Sequence, residues 1–250
     1  MSYLAFHLFF TLPPILLMGL TLPRPLRVLG GRRAQLAIPL IAAVAFSYTT
    51  PWDNYLVAQN VWWYGPERVL GTIGFVPYEE YAFFLLQPVL TGLFFFQYTG
   101  RRAPSAQAST PWSAWGGFSV FAALSLLGAG LLAAGSAHGV YLGLILAWAC
   151  PLLAGMWLYD GETLSAHRTT LIYTVAVPTL YLWGADAVAI SSGIWTISAD
   201  LTVGVSVLGL PLEEATFFLM TNMLVVKGIL LLLHGSHEAL NAPLPTAPEA

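Results

Sequence analysis

Two pairs of adjacent glutamates occur in the same local sequence near the middle and near the end of the chain. Each pair follows a proline, in Pro77-Tyr78-Glu79-Glu80 and in Pro211-Leu212-Glu213-Glu214, and each opens a long apolar run. Proline at the first helical position predicts that both glutamates fall in the first turn, where free amides and the helix dipole favour a carboxylate. Adjacent helical residues project about 100° apart, so one glutamate can face a cleft while the other supports it.

Carboxyls gathered at one depth would share protons, and a carboxyl kept protonated at neutral pH can serve as a general acid. Two aspartates accompany the glutamates. Asp53 lies in Pro51-Trp52-Asp53-Asn54-Tyr55, which is expected to end the second apolar segment, and Asp186 lies inside the sixth. An acid within a membrane span indicates function. The alternative role for each glutamate pair is helix capping at the water interface. A single pair would fit this alternative well, whereas two symmetric pairs make it less favoured.

Aromatic residues surround these acids in the sequence. Such residues form a belt at the membrane interface, or they present their π faces to a cationic intermediate. Tyr78 and Tyr81 flank the first glutamate pair and are the better candidates for the second role, with Trp62 and Trp195 as further candidates.

The composition predicts an integral membrane protein. The chain has 250 residues, of which 57% are hydrophobic and 8% charged, and its mean hydropathy is +0.72. A soluble domain has about 25% charged residues. The net charge of −3 gives no reason to expect a nucleic-acid partner, and the single cysteine, Cys150, excludes an internal disulfide.

Seven apolar windows approach or exceed the length of about 20 residues that spans a bilayer. They cover residues 3–22, 34–50, 77–98, 115–134, 139–159, 169–190 and 203–233. Prolines inside these windows are expected to kink the helices. Eight basic residues fall on one side of these spans: Arg24, Arg27, Arg32, Arg33, Arg101, Arg102, Arg168 and Lys227. The positive-inside rule therefore predicts an external N-terminus and a cytoplasmic C-terminus in the cell membrane.

An internal repeat relates the two halves of the chain. Shifting one half onto the other aligns Tyr48 with Tyr181, Asp53 with Asp186, Trp62 with Trp195, and the two Pro-x-Glu-Glu motifs. The fourth helix has no counterpart in this alignment. A three-helix unit copied directly would be upside down in the membrane, and one extra helix between the copies restores the same direction. The predicted fold is thus an all-α membrane protein with seven helices in a 3+1+3 parallel repeat. The predicted units are residues 1–100, a linker and extra helix at 101–136, residues 137–235, and a disordered tail at 236–250.

Motifs for redox or metal chemistry are not found in the sequence. It has no Gly-x-Gly-x-x-Gly after a strand and no His-Glu-x-x-His, so no cofactor and no metal site are expected. Proton transfer by carboxylates is the chemistry that the remaining motifs favour.

The doubled Pro-x-Glu-Glu, the Pro51–Tyr55 stretch and the 3+1+3 plan resemble the membrane-integral lycopene cyclases, in the form that fuses two small subunits. The resemblance implies closure of the linear ψ ends of lycopene into β rings, in carotenoid biosynthesis. It implies a lipophilic carotenoid substrate, contact with membrane lipid, and association with other enzymes of the pathway.

The resemblance also implies site residues. Glu79 and Glu213 are expected to be the central acid/base residues, with Glu80 and Glu214 as partners that set their protonation. Asp53 and Asp186 are expected to support them or to act as alternate bases.

Three alternatives remain at the level of the sequence. A small 3+1+3 transporter should place polar residues near the bilayer midplane, whereas here they crowd at the outer end. A retinal-binding protein needs a lysine midway along the seventh helix, and Lys227 is too close to its cytoplasmic end. Another isoprenoid-modifying membrane enzyme is the third alternative.

Overall fold

The computed structural model describes residues 1–102, 107–108 and 111–234, except for the side chains of 111–113. Within these ranges, seven helices are long and apolar enough to cross a membrane, which confirms the predicted fold class. They are α1 (Tyr3–Leu20), α2 (Leu26–Ala58), α3 (Tyr78–Arg101), α4 (Pro111–Ala133), α5 (Val140–Ala166), α6 (Arg168–Ser191) and α7 (Leu212–His234). The predicted tail at 236–250 lies outside the described residues.

Six short strands form in the two long loops. The loop from α2 to α3 contains β1 (Trp62–Tyr64), β2 (Thr72–Ile73) and β3 (Val76–Pro77), and the loop from α6 to α7 contains β4 (Trp195–Ile197), β5 (Ser206–Val207) and β6 (Leu210–Pro211). Within each loop the last two strands form a hairpin, and β1 pairs with β4 in an antiparallel ribbon. This ribbon joins the two halves of the molecule above the starts of α3 and α7.

The predicted start of the seventh helix at residue 203 is wrong. Leu208 and Gly209, which connect β5 and β6, both have positive φ, at 54° and 83°. This is the conformation of the two central residues of a type I′ hairpin turn. The chain therefore turns back before it enters the membrane, and α7 begins at Leu212.

Helix α2 is longer than its apolar window predicts. It runs through Pro39 and Pro51 to Ala58, so Asp53 lies inside the helix and not at its end. Its non-helical residues are Gly30 and Gly31, where φ reaches 60° at Gly31. The break thus falls at a glycine pair near the N-terminal end of the helix, where no Cβ opposes a left-handed backbone.

Helix α7 lies at the centre of the bundle and packs against α2, α3, α5 and α6. Helix α4 packs on α5 through small residues, since a Cβ on Gly128 would lie 2.9 Å from the carbonyl oxygen of Gly143. Such close contacts between small residues are typical of membrane helices.

A buried polar cluster connects α3, α6 and α7 within their spans. The amide oxygen of Asn222 accepts hydrogen bonds from Gln87 and Thr91, both at 2.6 Å, and its nitrogen donates to Thr179 at 3.0 Å. The expectation that polar groups crowd only at the outer end is therefore wrong. Because these groups satisfy one another, they stabilise helix packing in an apolar medium.

Candidate active site

Four carboxyl side chains, one from each of four helices, line the same pocket. Asp53 comes from α2, Glu80 from α3, Asp186 from α6 and Glu214 from α7. The pocket has an accessible volume of about 40 Å³ and lies beneath the β1–β4 ribbon. Asp53, Asp186 and Glu214 are buried, and Glu80 is partly buried. The long loops and helix starts thus bring together acids that are far apart in the sequence.

Aromatic rings form most of the remaining wall. The aromatic lining residues are Tyr3, Phe6, Trp62, Phe83, Tyr141, Trp195, Phe217 and Phe218. Trp62 and Trp195 both line the pocket from the paired strands β1 and β4, beside the acids. Their expected role in stabilising a cation stays a prediction.

Tyrosine hydroxyls donate to the two glutamates of the pocket. The Tyr3 hydroxyl lies 2.8 Å and the Tyr64 hydroxyl 3.1 Å from Oε2 of Glu80. The Tyr141 hydroxyl lies 2.6 Å from Oε1 of Glu214. Burial, reinforced by the negative charge of the Glu80 carboxylate, raises the pKa of Tyr64 well above its ordinary value, so its hydroxyl stays protonated and donates.

The two aspartates have fewer donors. The indole nitrogen of Trp195 donates to Oδ1 of Asp186 at 2.9 Å. The Oδ2 atoms of Asp53 and Asp186 are buried without a hydrogen-bond partner among the described residues. Leaving a buried polar atom unpaired is energetically unfavourable, and a catalytic role is one explanation for it.

Glu79 and Glu213, expected from sequence to be the central acid/base residues, lie outside the pocket. Oε1 of Glu79 accepts a hydrogen bond from the backbone amide of Leu70 at 2.9 Å, and Oε1 of Glu213 accepts one from Val203 at 2.7 Å. Neither residue lines the pocket. The rotation of about 100° between neighbours sends the first glutamate of each pair toward its own loop and the second into the pocket.

Tyr78 and Tyr81 also lie away from the acids. The Tyr78 side chain is half exposed and covers Gly71, where a Cβ would lie 2.8 Å from the tyrosine ring. The Tyr81 hydroxyl donates to the carbonyl oxygen of Ile73 at 2.9 Å. Both tyrosines hold the β2–β3 hairpin instead of facing the pocket.

Sequence reasoning missed Tyr3 and Tyr141. Tyr3 and Tyr141 begin α1 and α5, the first helix of each predicted repeat, and this shared position is the signal that could have found them. His7 is buried, and its ring nitrogens contact the Thr11 hydroxyl and the carbonyl oxygen of Glu79. It therefore connects α1 to the first turn of α3.

Among the described residues, no group of three or more His, Cys, Asp or Glu side chains could hold a metal ion.

Comparison with known proteins identifies the family. The family model described as Lycopene cyclase matches residues 1–98 and 138–232. The lycopene beta-cyclase of Halobacterium salinarum is 40% identical over 230 residues, which cover 92% of this chain and 95% of that protein. No solved structure matches the chain.

Fungal proteins match over the same part of this chain. The bifunctional lycopene cyclase/phytoene synthase of Gibberella fujikuroi is 34% identical over 92% of this chain, and that of Phaeosphaeria nodorum is 36% identical over 91%. In both cases the match covers 40% of the fungal protein. From the two matched segments and the near full-length relative, we conclude that this chain belongs to the lycopene cyclase family.

Proposed function

We propose that this protein is a lycopene β-cyclase, an intramolecular lyase that closes the ψ ends of lycopene into β rings in carotenoid biosynthesis. The observation that carries the proposal is the single pocket, in which four carboxyls face an aromatic wall. The reaction needs an acid, a base, a wall that tolerates a cation, and the exclusion of water.

The reaction is a redox-neutral isomerisation. A carboxylic acid protonates the terminal double bond of the ψ end and leaves a tertiary cation. The next double bond attacks this cation and closes a six-membered ring, which moves the positive charge into the ring. A carboxylate then removes a ring proton, so one proton enters and one leaves.

The hydrogen bonds suggest which carboxyl does what. Hydroxyl donors favour a carboxylate, so Glu80 and Glu214 are the proposed bases. Oδ2 of Asp53 and of Asp186 has no competing partner among the described residues, so a proton there is available to a double bond. We therefore assign the acid role to the aspartates, and the roles differ from those implied by the resemblance.

The aromatic wall and the β1–β4 ribbon have separate tasks. The rings of Trp62, Trp195, Phe83 and Phe217 border the pocket, where they can stabilise a carbocation through their π faces. The ribbon formed by β1 and β4 covers the pocket from the outside and keeps out water that would capture the cation.

The membrane arrangement is part of the proposal. We place the N-terminus outside and the C-terminus in the cytoplasm of a cell-membrane protein, on the basis of its arginine-rich loops. The 3+1+3 repeat, with units 1–100 and 137–235, is supported by the two family-model segments at 1–98 and 138–232. The matching loop hydrogen bonds of Glu79 and Glu213 support it further. Contact with lipid and with other carotenoid-pathway enzymes follows from the membrane-bound substrate.

Expression in lycopene-accumulating cells tests the proposal. We expect pigments with β rings from the wild-type protein and from Asp200→Asn, which alters an exposed loop acid outside the pocket. We expect no rings from the double variant Glu80→Gln/Glu214→Gln. An unchanged pigment profile with wild-type protein present in the membrane would contradict the proposed function.

A further inference from the structure

One face of α2 borders a continuous series of cavities from the acid pocket toward the opposite end of the bundle. Leu36, Leu40, Val44 and Tyr48, spaced four residues apart, line the two apolar cavities that follow the acid pocket. This four-residue spacing keeps them on one side of the helix. The face is partly open to lipid, since Leu40 is 48% and Val44 is 55% exposed.

Two other helices complete the groove. Helix α7 supplies its floor, through residues that include Thr221, Leu224 and Gly228, and α5 supplies the opposite wall with Leu152 and Met156. Both α2 and α5 pack against α7, and the groove runs between them. We refer to these cavities together as the α2–α5 groove.

The groove adjoins the acid pocket. The cavity next to the pocket shares Phe83 and Phe217 with it, so these two rings stand at the boundary. Further along, the two groove cavities share Ile41, Val44 and Met156. A chain-like molecule can therefore lie in the groove with one end between the two phenylalanines.

The dimensions match a long linear polyene. The α2 segment from Arg33, which lines the far cavity, to Asp53 is about 30 Å long at the rise of an α-helix. A linear carotenoid is a rod about as long as the hydrocarbon core is thick, ~30 Å. The lining of the first groove cavity is almost entirely apolar, which suits a hydrocarbon without polar groups.

We propose that the α2–α5 groove binds the unreacted part of the polyene while its ψ end occupies the acid pocket. This inference rests on the proposed cyclase function. The substrate enters sideways from lipid past the exposed side chains of α2, and the groove then holds the rod in line with the carboxyls. The groove thus selects for substrate length, a property separate from the chemistry of the ring closure.

A pair of glycine variants tests the groove. Gly228 forms part of its floor about 20 Å along α7 from Glu214, and a Cβ there would meet the flexible end of Ile41 at 2.7 Å. Gly228→Leu therefore fills the groove. Gly155→Leu, on α5, is the matched control, because a Cβ at Gly155 has no heavy atom within 4 Å. Leu40→Trp obstructs the groove from the α2 wall, where the half-exposed side chain leaves room for a larger ring.

The assay uses purified protein in liposomes with two substrates: lycopene, and a truncated polyene of about half its length that keeps one ψ end. For Gly228→Leu and Leu40→Trp, we expect the ratio of kcat/KM for lycopene to that for the short polyene to fall by about ten-fold. Gly155→Leu should keep the wild-type ratio.

The outcomes separate the groove from the cyclase activity. A wild-type protein that cyclises neither substrate contradicts the proposed function. A wild-type protein that cyclises lycopene, together with wild-type ratios in both groove variants, overturns the groove alone. An equal loss on both substrates in both variants also overturns it, because a length-selecting groove predicts a selective loss.

Discussion

Glu79 and Glu80 are neighbours in the sequence and have different partners in the structure. Glu79 accepts from the amide of Leu70 and holds its loop, whereas Glu80 accepts from Tyr3 and Tyr64 inside the pocket. The same division separates Glu213 from Glu214. We therefore propose that the second glutamate of each pair carries the chemistry.

Single substitutions in the first pair test this division. Glu80→Gln should reduce cyclisation by about 100-fold or more, because it removes an ionisable group from the pocket. Glu79→Gln should retain most activity, since the amide oxygen still accepts from Leu70. Both are measured as β-ring formation per amount of membrane-inserted protein. The opposite order of effects would restore Glu79 as the central residue.

The tyrosine donors permit a second comparison. Glu214 accepts from one pocket tyrosine, Tyr141, whereas Glu80 accepts from Tyr3 and Tyr64. Tyr141→Phe should therefore lower kcat by about ten-fold, and Tyr3→Phe by clearly less, since losing a hydrogen bond to a charged group costs ~1.5–3 kcal/mol. Equal effects would mean that the number of donors does not control the reaction.

At the scale of single residues, the sequence identifies the acids but does not show which way their side chains point. The Pro-x-Glu-Glu motif predicts two carboxyls in a first helical turn. Which one enters the pocket depends on loop contacts, such as that between Glu213 and Val203, that no local pattern encodes. Tyr3 and Tyr141 escape notice because a tyrosine at a helix start is also common in an interfacial belt.

Among the elements, the β1–β4 ribbon has the clearest effect on chemistry. It pairs Trp63 with Thr196 and places Trp62 and Trp195 over the acids. Apolar windows predict the seven helices well because a span needs a long hydrophobic run. The ribbon is not predictable in this way, because its strands are three residues long and pair across the two halves.

Breaking the ribbon should change the products as well as the rate. Thr196→Pro removes a backbone donor from β4, which a paired strand does not tolerate. We expect less cyclised product and the appearance of hydrated linear products, formed when water captures the cation. Thr196→Val keeps the exposed β-branched side chain and the backbone amide, so it should give the wild-type products. Wild-type products from the proline variant would show that the ribbon does not exclude water.

The whole molecule draws its pocket from both halves of the chain. Asp53 and Glu80 precede α4 in the sequence, and Asp186 and Glu214 follow it. Aligning the two halves predicts that their acids meet at one face. Which acid side chains meet in the pocket depends on how α3 and α7 pack together, and this packing is seen only in the three-dimensional structure.

This shared pocket predicts how a divided chain behaves. Residues 1–102 and 103–250, expressed separately, should each fail to cyclise lycopene. Expressed together, they should regain activity, because α2 and α3 pack against α7 and the ribbon pairs the halves. Pigment analysis of cells with one or both pieces makes the measurement. Ring formation by one piece alone would show that this half of the chain contains a complete site.

The position of the acid pocket at one end of a groove as long as the substrate has a kinetic consequence. If the α2–α5 groove binds the polyene as proposed, only one end of lycopene meets the carboxyls during each binding event. A molecule with two rings then requires release into the lipid and rebinding in the reverse orientation. The enzyme is then distributive: pigment with one ring should accumulate early in a time course and decline later. A scarce enzyme in a lycopene-rich membrane should leave mostly one-ring pigment, so enzyme abundance would set the composition of the carotenoid pool.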